Sequence, residues 1–407
     1  VVVTGMAGLS PLGNNWAEVK AALEGMRSGV KVLPEWAQYQ GLNTRLGAPL
    51  APYRFPPERF SRKDTRSMGT VARYAVAASD LALADAGLLH DKSFLQSGRV
   101  GVAYGSSTGS PDAVGDFAHM LFAKTTANIT ATTYIRMMPH TTSVNIAVYF
   151  GLRGRVYSTS TACTSGSQAI GLACEAIREG HQDAMLAGGA EELSPTEAAV
   201  FDTLFATSCK NQDPEHTPRP YDRDRDGLVV GEGAGTLVLE ELEHARARGA
   251  RIYAEVLGFG SNCDGSHVTQ PSAPTQAACL RLALDSAGLD PGAVDYVNGH
   301  GTATEHGDIV ETIATREVFG RALPFSTFKG HMGHTLGACG ALEAWMALAA
   351  ARDGFVAPTL NLEHVDARCA DLDYIKGAVR KFQPEIIMSN NFAFGGINTS
   401  LIFKLWS

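Results

Sequence analysis

Two stretches of this chain, far apart in sequence, follow one plan. VYSTSTACTSGSQAIGLACEAIREG (156–180) and LPFSTFKGHMGHTLGACGALEAWMALAAARDG (323–354) each run from a strand, through a Ser/Thr-bearing loop, into a helix rich in small residues. A supersecondary unit repeated in this way restricts the architecture to a duplicated α/β design. The remaining sequence alternates in the same manner. Residues 1–5, 99–105, 183–189 and 235–241 read as strands, and 15–25 and 64–88 as helices, the first stopped at Gly25. In the second half 251–260, 294–301, 322–328, 385–391 and 399–405 read as strands, the second of them running into a loop, and 274–289 and 335–354 as helices. The expected division is an N-terminal half over 1–249 and a C-terminal half over 250–407. No flexible linker separates them, so the halves are expected to share one core.

Composition removes several classes of function. The 407 residues carry a net charge of −8 with no Lys/Arg-rich run, which argues against nucleic acid as a partner. The seven cysteines are scattered and form no CxxC pair, the pattern of a reducing compartment, so a cytoplasmic location is expected. No apolar run reaches about 18 residues, so no membrane span is expected. The opening VVVTG reads as a strand and turn, not as a signal peptide.

Four constellations carry chemistry. In STACTSG, Cys163 stands where a strand gives way to a helix. A helix N-terminus offers unpaired N–H groups and about half a positive charge. This would lower the thiol's pKa and hold an oxyanion; a buried structural cysteine is the alternative. In NGHGTAT, His300 lies between two glycines that permit close approach of a ligand, with Thr302 and Thr304 beside it as hydrogen-bonding groups. In KGHMGH, Lys329 and His334 flank a Gly-rich loop that also holds His331. Glu343 lies on the following helix, where burial would pair it with Lys329. No metal is expected, because no carboxylate or second cysteine accompanies these histidines at ligand spacing. Finally, NNFAFGGIN (390–398) puts Phe392 and Phe394 ahead of Gly395 and Gly396, which reads as a hinge with an aromatic gate.

At these residues the sequence resembles the β-ketoacyl-acyl-carrier-protein synthases, the elongating condensing enzymes of the thiolase-like superfamily. The resemblance runs from VVVTGMAGLSPLG to TSLIF. TACTSG, NGHGTAT, KGHMGH with LGACGALE, and RPYDRDRDGLVVGEGAG (219–235) carry it. It implies a thiolase-like duplicated α/β fold, layered α-β-α-β-α with two mixed five-stranded sheets. It also implies a decarboxylative Claisen condensation in fatty-acid, polyketide or polyene elongation. By resemblance, Cys163 takes the acyl chain as a thioester, and its N–H with that of Phe394 forms the oxyanion hole. His300 and His334 promote decarboxylation of malonyl-acyl-carrier protein, Lys329 with Glu343 orders the histidines, and Phe394 is the gate. Thr302 and Thr304 bind the phosphopantetheine arm, and Phe392, Gly395 and Thr108 belong to the substrate site. Arg62, Lys63 and Arg66, with Lys124, match the basic patch that receives the acidic carrier. No resident cofactor is implied, since phosphopantetheine arrives on the carrier, and the assembly implied is a homodimer.

The sequence also departs from the family's pattern. Ala393 and Ile397 alter the gate, Thr108 replaces an apolar residue of the acyl pocket, Pro111 interrupts a Gly-rich stretch, and Glu305 with His306 replaces a usual Pro and its neighbour. A more polar pocket wall would suit unsaturated chains. Two further readings differ in class. A thiolase-like acyltransferase working on coenzyme A would carry a second cysteine in place of one histidine. In a heterodimer with a non-catalytic chain-length factor, this chain, having Cys163, would be the catalytic subunit.

Overall fold

The computed structural model describes all 407 residues. Five strands belong to the N-terminal half: β1 (Val2–Leu9), β2 (Val100–Gly105), β3 (Val156–Thr159), β4 (Ala184–Glu191) and β5 (Gly233–Glu240). The C-terminal half supplies β6 (Ala254–Cys263), β7 (Tyr296–Asn298), β8 (Pro324–Ser326), β9 (Asp373–Tyr374), β10 (Ile386–Phe392) and β11 (Ile397–Leu405). The principal helices are α1 (Trp16–Glu24), α2 (Thr70–Asp85), α3 (Pro111–Ala123), α4 (Ala131–Met137), α5 (Thr141–Phe150), α6 (Ser165–Arg178), α7 (Pro195–Asp202), α8 (Ala273–Ala287), α9 (Glu305–Phe319) and α10 (Cys339–Arg352).

The expectation of two separate five-stranded sheets is corrected. All eleven strands form one sheet, in the order β9-β8-β7-β10-β11-β6-β1-β5-β4-β2-β3. The duplication is nonetheless visible inside it. In one half β3, β2 and β4 run parallel, and β5 and β1 follow antiparallel. In the other half β8, β7 and β10 run parallel, and β11 and β6 follow antiparallel. The halves fuse because β1 and β6, the last strand of each set, pair over just Val2↔Glu255 and Val3↔Ala254. Strand β9 then extends the outer edge beyond β8.

Helices α6 and α10 lie between the two halves of the sheet. Helix α6 packs on β4 and β2 and also on β11 and β6; α10 packs on β5 and β4 and also on β10. A helix covered on both sides must be apolar all round. Accordingly every residue of α10 from Cys339 to Ala351 is buried. Outside the sheet, α2 covers β1 and β5, and α8 covers β6 and β11, giving five layers. One hydrophobic cluster of 38 buried residues includes Val3, Met185 and Leu237 from the first half and Ile387, Leu401 and Phe403 from the second. The two halves thus share a core.

The two repeated stretches adopt matching turns. Ala162 (φ 50°) and Leu336 (φ 45°) each hold a left-handed backbone at the first residue of a 3-10 turn, which leads into a 14-residue helix. Cys163 and Gly337 occupy equivalent places just after. Such a conformation is costly for a residue with a Cβ. Close packing by small residues holds it here: a Cβ on Gly189 of β4 would come within 2.1 Å of Gly337 O and 3.0 Å of Gly166 Cα.

The helix expected over 64–88 is divided. Arg62–Thr65 forms a single turn and α2 begins at Thr70. The chain bends at Gly69, which lies so close to Ser110 that a Cβ would be 2.0 Å from its Oγ. The expected start of α10 at Thr335 moves to Cys339, behind the 3-10 turn.

Substituting Gly189 by Ala forces apart β4 and both turns, and should destabilise the protein by about 1–3 kcal/mol. Gly115, inside α3, faces open space, with no atom within 4 Å of where a Cβ would stand, so Gly115→Ala should stabilise by about 0.5–1 kcal/mol. Thermal denaturation of the two variants should therefore move in opposite directions.

Candidate active site

Cys163 is presented by the first of these turns. Thr159 Oγ1 donates to Ser165 O (2.8 Å), and Ser165 Oγ donates to Ala162 O (2.7 Å) while accepting from Thr161 N (3.0 Å). The bend between β3 and α6 is thereby fixed. Cys163 Sγ looks into a cavity of about 600 Å³ that also receives His300, His334, Thr302, Thr304, Phe392 and Phe394. The three reactive side chains come together: His334 Nε2 is 3.0 Å from Cys163 Sγ, and the rings of His300 and His334 meet edge to face, with centroids 5.1 Å apart.

Each histidine is held by backbone on one side and oriented by a donor on the other. The His334 main chain pairs with the 229–231 segment, through His334 N to Val229 O (2.7 Å) and Gly231 N to His334 O (2.9 Å). Its Nδ1 accepts from Leu336 N (3.3 Å). The backbone N–H groups of His300 and Gly301 donate to Glu311 on α9, at 2.5 and 2.8 Å. Tyr221 Oη donates to the same carboxylate (3.0 Å). Lys329 Nζ lies 3.2 Å from His300 Nδ1 and forms a buried ion pair with Glu343. An ammonium group has only hydrogens to offer, so His300 Nδ1 is the acceptor. Both rings must therefore carry their proton on Nε2.

Electrostatics agree with this assignment. Burial, followed by the nearby Lys329 charge, holds the pKa of both histidines well below 6.5, so both are neutral. Burial opposes the Lys329 charge, but Glu343, together with the other acidic groups around it, more than offsets burial and keeps Lys329 protonated. Asn391 Nδ2 donates to Glu343 (2.8 Å) and closes the network. The expectation that the helix N-terminus lowers the Cys163 pKa is corrected. Burial dominates and pushes the thiol up to about 12, although the N–H groups of Cys163 and Phe394 both bear on Sγ and oppose the shift. Cys163 therefore rests as a thiol whose thiolate, once formed, meets several donors.

Sulfur and ring nitrogens of Cys163, His300 and His334 all lie within 4.8 Å, a spacing that would also suit three metal ligands. The Lys329 ammonium against His300 opposes a second cation there. His331 points elsewhere: its ring nitrogens face Arg27 O (3.0 Å) and Pro358 O (3.1 Å).

Phe394 lies against Phe201, with ring centroids 5.1 Å apart, in the turn between β10 and β11. Gly395 (φ 86°) and Gly396 (φ 74°) are both left-handed there, which only glycine adopts readily in succession. Phe392 is on the cavity wall, 6.0 Å from His300 between centroids. Two expected substrate residues are not. Gly395 is exposed and donates its N–H to Val268 O (2.8 Å), leaving Gly396 on the wall. Thr108 is exposed and donates to Glu197 (3.2 Å), because buried Glu191 grips the N–H of Ser107 (2.9 Å) and turns the chain outward after it. Thr302 and Thr304 are bonded to each other through their hydroxyls (2.8 Å) on the cavity wall. Arg62, Lys63, Arg66 and Lys124 are all exposed, away from the cavity lining.

Several supporting residues were given no role by the sequence. Arg225 binds Thr304 O (3.2 Å), Glu305 O (2.9 Å) and Asp366 (2.7 Å), so it shapes the loop that carries the two threonines. Asp308 accepts from Tyr221 N (2.6 Å) and Ala303 N (3.1 Å). Asp308 and Glu311, three residues apart, share one helix face. That spacing, directly after NGHGTAT, was the available signal.

The neutral state of the two rings has a spectroscopic consequence. In an NMR titration of histidine-labelled protein, the His300 and His334 signals should not move between pH 8 and pH 6. In Lys329→Met one depressing charge is gone, and both should titrate at a higher pH than in the wild type.

Comparison with known proteins places these features in context. The beta-ketoacyl synthase N-terminal domain model matches residues 1–245 and the corresponding C-terminal domain model matches residues 253–363. The chain is 37% identical to the 3-oxoacyl-[acyl-carrier-protein] synthase 1 of Haemophilus influenzae, over all of this chain and 99% of that one. A beta-ketoacyl synthase crystal structure from Burkholderia phymatum is 55% identical with a TM-score of 0.98, covering 100% of this chain and 99% of that one. The ishigamide ketosynthase/chain length factor is 32% identical with a TM-score of 0.90, over 100% and 99% of the two chains. A type II acyl-carrier protein in complex with its hexaketide-bound ketosynthase is 28% identical with a TM-score of 0.88, at the same coverage.

Proposed function

The chain belongs to the β-ketoacyl synthase family, and on that premise we propose that it joins an acyl group held on Cys163 to malonyl-acyl-carrier protein, releasing CO2. The observation that carries the reading is the pair of neutral imidazoles, each with its Nε2–H free to donate, facing a thiol 3.0 Å from one of them.

The reaction begins with the thiol attacking the carrier-bound thioester. The thiolate that develops is stabilised by His334 Nε2–H and by the N–H groups of Cys163 and Phe394. The carrier leaves as a free thiol, taking the proton that Cys163 gives up. Malonyl-acyl-carrier protein then enters with its thioester oxygen toward the two Nε2–H donors. The bond to the carboxylate breaks, CO2 departs, and the electron pair forms an enolate at that oxygen. Preorganised donors act most strongly on such developing charge. The enolate carbon attacks the acyl-Cys163 carbonyl, whose oxyanion is held by the N–H groups of Cys163 and Phe394. Collapse expels the Cys163 thiolate, which takes a proton from water to restore the thiol, and β-ketoacyl-acyl-carrier protein is released.

Lys329 and Glu343 are positioning residues, since they set which nitrogen of His300 carries the proton. Phe394, on its two-glycine turn, is the gate beside Cys163, packed with Phe201, Leu228 and Leu336 in one apolar cluster. Thr302 and Thr304 are suited to the amides of the phosphopantetheine arm. The polar-wall argument for unsaturated chains loses Thr108, and the acyl preference rests on the gate and the wall that remains. Arg62, Lys63, Arg66 and Lys124 form the basic surface that draws in an acidic carrier. No helix is long and apolar enough to cross a membrane, and all seven cysteines are free, in keeping with a cytoplasmic enzyme.

Two features support assembly with a second chain. Strand β3 ends the sheet with one edge unpaired, and Leu121, Phe122, Tyr134 and Val148 from the neighbouring α3–α5 region are exposed. A sheet edge beside uncovered apolar side chains is a site for pairing. A homodimer is the first reading, and a heterodimer with a chain-length factor is the alternative.

Intact-mass spectrometry after incubation with acyl-acyl-carrier protein should find one acyl group on Cys163, absent in Cys163→Ala. Replacing His300 or His334 by Ala should cut malonyl decarboxylation by about 10²–10³-fold. A coenzyme A-dependent acyltransferase would instead form product with no CO2 released. Reversing charge at Arg62, Lys63 and Arg66 should raise KM for carrier substrates, most at low salt; an unchanged KM would remove that surface from the account.

A further inference from the structure

One carboxyl group is buried on the apolar side of the reactive thiol with an oxygen left over. Helix α7 buries Glu197, Ala198, Phe201 and Asp202 and leaves Thr196 and Val200 exposed. Its buried face turns toward Cys163: Ala198 and Phe201 pack in one cluster with the thiol, and Phe201 also lies against Phe394. Residues 197 and 201 are one helical turn apart, so Glu197 sits beside Phe201 on that face. Asp202 has its oxygens filled by Asn43, Thr44 and Thr207. Glu197, only 4% exposed, does not: its Oε1 accepts from Thr108 Oγ1 (3.2 Å), but its Oε2 has no partner. A buried polar atom left unpaired weakens a fold, so its retention points to a partner that arrives from outside.

The neighbouring carboxylate fixes the state of this group. Burial raises the pKa of both Glu191 and Glu197, and the Glu191 charge raises that of Glu197 further, well above its ordinary value. Four donors oppose the rise at Glu191: Ser106 Oγ (3.0 Å), Ser107 N (2.9 Å), Ser107 Oγ and Gly337 N (3.0 Å). Glu191 therefore keeps the negative charge and Glu197 the proton. With Oε1 accepting from Thr108, that proton sits on Oε2. The two-step reaction decides what reaches it. Once Cys163 is acylated, the malonyl arm must occupy the cavity beside His300, Thr302 and Thr304. The acyl chain is then stored on the other side of Cys163, among the apolar side chains that α7 shares with it.

We propose that Glu197 is a specificity-determining residue that reads a hydroxyl group on the acyl chain, remote from the thioester, so that the preferred primers are hydroxylated chains and not plain hydrocarbon ones. This rests on the function proposed above and names its substrate class. A hydroxyl oxygen accepts from Oε2–H, which a saturated chain cannot do. A site built to bond a hydroxyl discriminates more sharply than one that only measures methylene groups. A cationic chain end is unsuited, because Glu197 would have to ionise beside the Glu191 charge. Since α7 holds Glu197 at one place, the hydroxyl counts only at one distance from the thioester.

The test is the rate of Cys163 acylation, followed by intact-mass spectrometry, with two series of acyl-pantetheine thioesters of increasing length that differ only in a terminal hydroxyl. In the wild type the hydroxyl should raise kcat/KM by about ten- to a hundredfold at one chain length and not at the others. In Glu197→Leu the two series should become equal, with the plain chains faster than in the wild type, and the Tm should be equal to or above that of the wild type. Glu197→Gln, which still donates, should retain part of the preference. Equal rates for the two series in the wild type overturn the proposal, whether or not the variants fold. So does a preference that persists in Glu197→Leu, an equal loss there with both series, or a terminal amine that outpaces the hydroxyl. A smaller assembly of Glu197→Leu in sedimentation would overturn it too, because the carboxyl would then serve a subunit contact. A wild-type Cys163 that no primer acylates would sink the proposed function itself; acylation without a hydroxyl preference sinks the role of Glu197 alone.

Discussion

A single positive charge, sealed inside the protein, organises everything around the reactive thiol. Lys329 is 1% exposed, and burying an ammonium group is unfavourable unless it is paired. Glu343 supplies the partner, and Asn391 and Asn298 fill the remaining positions of that carboxylate. The charge then acts in two ways. It forces His300 to accept at Nδ1, and it helps burial to keep both imidazoles neutral. A neutral ring with a defined tautomer is a hydrogen-bond donor at a known atom. A protonated ring would donate from both nitrogens and compete for Glu343.

The duplicated fold brings these groups into one place. Cys163 comes from the turn before α6, while His334, Lys329 and Glu343 come from the equivalent region around α10. Because α6 and α10 lie side by side between the two halves of the sheet, the ends of the two repeats face each other. The segment 219–235 works as a brace. Tyr221 and Arg225 hold the loop after His300, and Val229 and Gly231 hold the backbone of His334. Its length and composition mark it in the sequence, but only the structure reveals that it serves both histidines.

The readable parts were those set by local chemistry. The strand–Cys–helix junction, the two histidine loops and the Lys329–Glu343 pair follow from glycine placement and from the alternation of strand and helix. The single sheet did not follow, because two residue pairs between β1 and β6 leave no periodic trace. Helices α3–α5 escaped because their exposed apolar residues break the amphipathic pattern. The acidity of Cys163 was misjudged for a different reason. A helix N-terminus is legible in sequence, but the depth of the thiol is a property of three dimensions, and here depth wins. Thr108 was misplaced because its direction depends on Glu191, 84 residues beyond Ser107, gripping that preceding residue.

The second turn of the repeat, at Leu336 and Gly337, matches the first in backbone but is closed chemically. A side chain on Gly337 would begin 2.8 Å from Glu191 Oε2 and 2.9 Å from Ser107 N, in space already taken. Glu191 also accepts the Gly337 N–H (3.0 Å), so the donor that a reacting atom would need is occupied. The near-symmetry of the chain therefore stops at its most important point. One corner is vacant and armed, its twin is plugged by a carboxylate, and a protein built from two like parts has a single working end.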